Sequence, residues 1–237
     1  MKRIVTAIFG VALLAFATTS FAQVSVFCGN AKVTLGGRLS AAAASSSRTL
    51  VVHGTCTENV TVRNLRVNID LGTFGGSIVA LVGTTPAITF TGGTTDSTIT
   101  GGSIVNGGTG GAVVVDRNAS VTIQGVVIVG AGDMVAVRRG GLATLNSNLI
   151  SGTNPAAGRG IRIRNQAFMT LGTSASLNTI QNVQRGITCR EGSVVTGVSG
   201  NTGLATFNTV TTTNDGVPLV ATDPVTAGGA TSCFSDL

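Results

Sequence analysis

The sequence predicts an all-β chain, a single-stranded parallel β-helix of about 6–8 coils with a short N-terminal capping helix. Three observations predict it. First, one short strand pattern returns at residues 87–91 (AITFT), 112–116 (AVVVD), 134–138 (MVAVR), 160–164 (GIRIR) and 186–190 (GITCR), with starts 25, 22, 26 and 26 residues apart. A fixed period in this range marks a solenoid. Second, each period holds two or three short strands between glycine and asparagine turns, with no room for a helix of useful length. Third, Trp and Tyr are absent while glycine, threonine and valine are abundant. That composition suits a core of stacked β-branched side chains.

The first 22 residues read as a secretory signal peptide: Lys2 and Arg3, an apolar stretch from Ile4 to about Ala17, then Ser20-Phe21-Ala22 as a small-x-small cleavage site. The apolar run is short for a membrane span, which takes about 20 residues. The expectation is an exported protein, periplasmic or extracellular, that does not span a membrane once residues 1–22 are removed. Residues 23–237 then form one domain: a cap over 23–48, coils over 49–200, and an irregular last coil and tail over 201–237. Removing Lys2 and Arg3 lowers the formal charge from +6 to +4. That excess is far weaker than the clustered charge of a typical nucleic-acid binder, so only its distribution can make it informative.

The four cysteines, Cys28, Cys56, Cys189 and Cys233, follow the export signal, so disulfides are the default reading. Three connectivities exist, and Cys28–Cys56 with Cys189–Cys233 is favoured because each would close one end of the stack. His53 is the only histidine and no C-x-x-C spacing occurs, so no metal site is expected. His53 itself reads as a structural residue at a turn.

Along the mature chain, residues 24–33 supply a first strand, and 39–47 (LSAAAASSS) is the only helix-compatible stretch, placed to cover the first coil. Residues 49–62 open the solenoid. Strand-like runs at 67–71 and 77–82 follow in an obscure register. In the readable coils a second strand lies at 97–100, 120–123, 142–145, 168–171 and 193–196, and a third near 103–105, 127–129, 149–150 and 179–180. Asn146, Asn148, Asn178 and Asn182 fall at bends, where amides tolerate turn geometry. The pattern decays after Gly197.

The run VVHGTCTENVTV at residues 51–62, followed by glycine-punctuated coils, resembles the exported bacterial parallel β-helix repeat proteins of the pectin-lyase-like superfamily. The resemblance covers most of residues 24–200 and implies a right-handed coil. It does not imply one activity, because the superfamily hosts lyases, hydrolases, esterases and epimerases. Hydrolase-type motifs of that superfamily (D-D, G-H-G, R-x-K) are missing, and Asp96, Asp116, Asp133 and Glu191 fall in different columns.

Alternation assigns faces. Ile88, Val113, Val135, Ile161 and Ile187 form one inward column, and Phe90, Val115, Val137, Ile163 and Cys189 the other. The outward column at the strand end is Thr91, Asp116, Arg138, Arg164, Arg190, with Arg162 on the same face and Arg139 and Arg159 at nearby turns. Coils stack about 4.8 Å apart, so like charges would face each other in register. Arginine's planar fork suits carboxylates and sulfates. The expected function is therefore non-catalytic binding of an acidic polysaccharide or envelope component through Arg138, Arg162, Arg164 and Arg190, with no cofactor. The alternative is a polysaccharide lyase-like enzyme on a uronate glycan, with Arg138 or Arg164 as base and Asp116 beside a Ca2+ ion; an Asp116–Arg138 ion pair across coils is the plainer reading of that carboxylate. Asn59 and Asn118 each fit a glycosylation sequon, and residues 107–111 (GGTGG) read as a turn.

Overall fold

The structure is a computed structural model that describes residues 23–29, 38–45, 48–154, 158–172, 176–197 and 230–233. It is a parallel β-solenoid of about six turns with almost no helix. The chain enters through β1 (Gln23–Phe27) and α1 (Arg38–Ser45). The first coil is β2 (Arg48–His53), β3 (Thr55–Thr57) and β4 (Val60–Arg63). The second is β5 (Val67–Asp70), β6 (Ser77–Val79) and β7 (Ile88–Thr91). The third is β8 (Ser97–Thr100), β9 (Ser103–Asn106) and β10 (Val113–Asp116). The fourth is β11 (Ser120–Gln124), β12 (Val127–Gly130) and β13 (Asp133–Arg138). The fifth is β14 (Leu142–Asn146), β15 (Leu149–Gly152) and β16 (Arg159–Arg164). The sixth is β17 (Phe168–Leu171), β18 (Thr179–Gln181) and β19 (Arg185–Cys189). Two further strands follow, β20 (Ser193–Gly197) and β21 (Ala230–Cys233).

Each coil gives one strand to each of three sheets. Sheet I runs β1-β2-β5-β8-β11-β14-β17-β20-β21, sheet II runs β3-β6-β9-β12-β15-β18, and sheet III runs β4-β7-β10-β13-β16-β19. Within and between coils all pairings are parallel except β20–β21. Both inward columns read from the sequence are buried, from Ile88 and Phe90 to Ile187 and Cys189. The register between residues 54 and 86, which periodicity leaves obscure, is fixed by Cys56 pairing with Ile78 and Val60 with Ile88.

The turn from sheet III to sheet I uses two consecutive left-handed residues in five coils: Gly92-Gly93, Arg117-Asn118, Arg139-Gly140, Asn165-Gln166 and Glu191-Gly192. Glycine and asparagine adopt that conformation readily, whereas an arginine there carries a cost of about 1 kcal/mol. On the opposite corner, between sheets I and II, Asn148 and Asn178 form a buried ladder. Asn178 Oδ1 accepts from both the backbone and side chain of Asn148, whose own Oδ1 accepts from Val126 N. The expectation of asparagines at these bends is met, and burial adds a hydrogen-bonding duty to their turn role.

At the N-terminal end Glu58 accepts from Leu39 N, Ser40 N and Ser40 Oγ of α1. Cys28 and Cys56 form the expected disulfide, with Cα atoms 4.9 Å apart. His53 is the last residue of β2, sandwiched between the rings of Phe27 and Phe74 at centroid distances of 4.3 and 4.1 Å. Cys189 is also disulfide-bonded. The side chain of Cys233, its expected partner, lies outside the described residues, as do the signal segment 1–22 and residues 198–229. Among the described residues, no helix is long and apolar enough to cross a membrane.

Candidate functional site: an arginine face beside a concavity

Sheet I presents an uncharged outward column: Asn68, Thr98, Thr122, Thr144, Thr170 and Thr196 in register. Sheet III is different. Arg138 pairs in register with Arg164, and Arg190 follows one coil on, its N–H donating to Ile163 O. The expected ladder is therefore present over three coils. It begins one step earlier as Asp116 paired with Arg138, and further back as Arg63 paired with Thr91. Thr91 and Asp116 belong to that column, but both are buried rather than open to solvent.

Two details correct the sequence reading. The expected Asp116–Arg138 ion pair is present, but Arg139 is the closer partner of Asp116. Arg139 donates from Nε to Asp116 Oδ1 at 2.6 Å and from Nη2 to Oδ2, whereas Arg138 Nε stands 3.5 Å from Oδ2. The left-handed backbone at Arg139 turns its side chain back along the axis toward the preceding coil. Burial alone would raise the Asp116 pKa, but the Arg139 hydrogen bonds, the charges of Arg138 and Arg139 and the Arg117 N–H together hold it below the ordinary value. With both oxygens already accepting from guanidinium groups, Asp116 is a structural counter-ion.

Second, Arg159 lies within β16, not at a turn. Gly160 and Ile161 are both buried, as are Met134 and Val135 one coil below, so simple alternation fails at these strand starts. The extra inward residue leaves Asp133, Arg159 and Arg185 as a further outward column, paired in register. Asp133 Oδ1 accepts from Arg159 Nε at 2.6 Å and Oδ2 from Arg162 Nη1 at 3.2 Å. Asp133 thus neutralises Arg159 and part of Arg162, a role that the sequence did not reveal.

Arg164 is left over. Among the described residues it has no ion pair or hydrogen bond to a carboxylate, while Arg138 and Arg162 crowd it. Its pKa is lowered, first by burial and then by the charges of Arg162 and Arg138; Glu191 and Asp133 oppose this more weakly. The Nε atoms of Arg138 and Arg162 are also buried with no hydrogen-bond acceptor. Two unit charges about 5 Å apart repel by about 1 kcal/mol in water and by more where solvent is thinned. A carboxylate hydrogen-bonded to such a group contributes about 1.5–3 kcal/mol, enough to outweigh that repulsion.

Beside these arginines is a concavity of about 290 Å³, floored by Val114, Ala136 and Val137 and edged by Asp133, Arg138, Arg162 and Arg164. Its far wall is made of two loops, through Thr84 and Pro86 and through Thr109, Gly110 and Gly111. Asparagine side chains hold both loops. Asn59 Nδ2 donates to Val82 O, Thr85 O and Pro86 O, and its Oδ1 accepts from Val82 N. Buried Asn106 donates to Thr85 O and Gly111 O and accepts from Gly108 N. The loops touch so closely that a Cβ on Gly108 would lie 2.3 Å from Gly83 O. The sequon asparagine Asn59 is thus a bracket for the wall, and the GGTGG run is a turn that lines it.

The arrangement offers guanidinium donors along a straight edge with a shallow, partly apolar recess beside them. No family model, curated protein or solved structure matches this chain.

Proposed function

We propose that this is an exported, right-handed parallel β-helix protein that binds an anionic polysaccharide or another acidic envelope component, without catalysis, through the arginine face of sheet III. In this reading residues 1–22 are removed on export, α1 covers the first coil, and Cys189 pairs with Cys233. The Cys28–Cys56 disulfide supports an oxidising compartment.

The observation that carries the proposal is Arg164, a partly buried cation between Arg138 and Arg162, with no carboxylate of its own at the edge of the concavity. Neighbouring carboxylates already neutralise Arg139 and Arg159. An external carboxylate or sulfate at Arg164 would supply the missing acceptor, and Arg138 and Arg190 place further guanidinium groups in the same column one coil either side. A polymer lying along the axis could engage them together, and linked contacts raise avidity without new chemistry.

The test is size-exclusion chromatography of acidic polysaccharides incubated with the oxidised mature protein and calcium. Co-elution with intact polymer is expected. Conversion of polymer to short fragments would instead establish the lyase-like alternative, and independent elution would reject binding.

A further inference from the structure

We propose that the corner between sheets III and I docks onto an acidic lipid surface. In three consecutive coils a residue of the arginine column is followed four positions later by an outward apolar residue at the start of a sheet I strand. The pairs are Arg138 with Leu142, Arg164 with Phe168, and Arg190 with Val194. Register keeps both columns aligned, since Arg138 pairs with Arg164 while Leu142 pairs with Phe168 and Phe168 with Val194. Leu142 is 45% exposed and Phe168 48%, two of the seven large apolar side chains exposed on the described surface, and Val194 is half-buried. One coil earlier the corresponding pair is Asp116 with Ser120, so the apolar column begins where the cationic one does.

A hydrated polyanion has no use for the apolar column, whereas a bilayer surface uses both. Leu142 and Phe168 would enter the acyl boundary while the arginines meet headgroup phosphates, the combination by which interfacial segments hold acidic membranes. Charge complementarity selects that occupant. The charged groups along the corner of these three coils are Arg138, Arg139, Arg164, Arg190 and Glu191, with exposed Arg117 and buried Asp116 one coil earlier. The cations therefore predominate. This docking does not require the concavity to be filled, since it uses the other side of the arginine column.

The experiment is co-sedimentation of the mature protein with vesicles of phosphatidylglycerol and phosphatidylcholine, against vesicles of phosphatidylcholine alone. Sedimentation is expected only with the acidic vesicles and should weaken with salt. The L142N/F168N variant should lower the apparent affinity by at least about ten-fold, the scale of re-exposing two half-buried apolar side chains. Both positions are on the surface, and an unchanged melting curve confirms that the variant folds. Equal sedimentation of variant and wild type would overturn the proposal, as would no sedimentation of the wild type. So would an L142N/F168N variant that only changes the elution volume, which would mark the ridge as a contact between copies. Co-elution with polygalacturonate, measured on the same variant, separates this proposal from the previous one. Polymer binding retained without vesicle binding rejects the lipid surface alone, and loss of both in the wild type rejects both.

Discussion

Arg139 reaches back one coil to grip both oxygens of Asp116, while Arg138, its neighbour in sequence and the register partner of Asp116, stays 3.5 Å away. The guanidinium that neutralises the carboxylate is thus the one on the left-handed turn. Arg138 keeps a longer ion pair to the same carboxylate, its Nε buried without a hydrogen bond. One buried aspartate thus holds Arg139 tightly and Arg138 more loosely.

Replacing Asp116 by Asn should destabilise the protein by about 1–2 kcal/mol at neutral pH, since charge-assisted hydrogen bonds to a buried carboxylate are lost. The pH dependence follows from depressed carboxylates. Burial raises the Asp70 pKa, but hydrogen bonds from Thr73 and Gly72 outweigh it and hold the value below the ordinary one, and Asp116 is lowered likewise. A carboxylate depressed in the folded state stabilises above its unfolded value, near 4, and that contribution is lost as pH falls through the folded value. Urea midpoints from pH 2 to 7 should show a steep acid limb in the wild type and a shallower one in D116N. Parallel curves would contradict this account.

Arg164→Gln should leave stability unchanged or raise it by up to about 1 kcal/mol at low salt, because it removes a cation crowded by Arg138 and Arg162. The gain should shrink at 0.5 M salt as screening shortens to a few ångströms. Thermal melts at two ionic strengths read the difference. A salt-independent loss of stability would mean that Arg164 has a structural partner.

Asn148→Ala removes acceptor and donor atoms that serve Val126 N, Ile123 O and Asn178 Oδ1. Leaving such buried groups unsatisfied costs about 1–3 kcal/mol each at most, so a total loss of about 3 kcal/mol is expected. The corresponding change at exposed Thr170 should cost less than about 0.5 kcal/mol. Denaturant midpoints of the two variants provide the comparison.

The C28S/C56S variant should lose about 3.6 kcal/mol, the chain-entropy value for a bridge spanning 28 residues. Reducing agent should lower the wild-type midpoint in the same direction. No change on reduction would show that the first coil is held by its other contacts, such as Glu58 with α1.

The coils were legible because their inward positions alternate β-branched residues at period two, so 113-115, 135-137 and 161-163 announce their own faces. The arginine ladder was legible for the same reason, as each arginine follows an inward residue at the strand end. Asp133 and Arg159 were not, because the consecutive inward residues that follow them, Met134-Val135 and Gly160-Ile161, break the alternation. The Arg139 grip was hidden in backbone conformation, which the sequence hints at only through the following glycine. Asn59 reads in the sequence only as a sequon asparagine and Asn106 carries no signal there, and only the contacts between coils reveal that they hold the wall of the concavity.

The most direct test of the central claim is polymer binding by the R138S/R164S/R190S variant against wild type, titrated with polygalacturonate at low and moderate salt. The account predicts salt-sensitive binding by the wild type and its loss in the variant, with both proteins showing the same melting behaviour. Equal binding by the two proteins would contradict it and leave the arginine face as solvated surface.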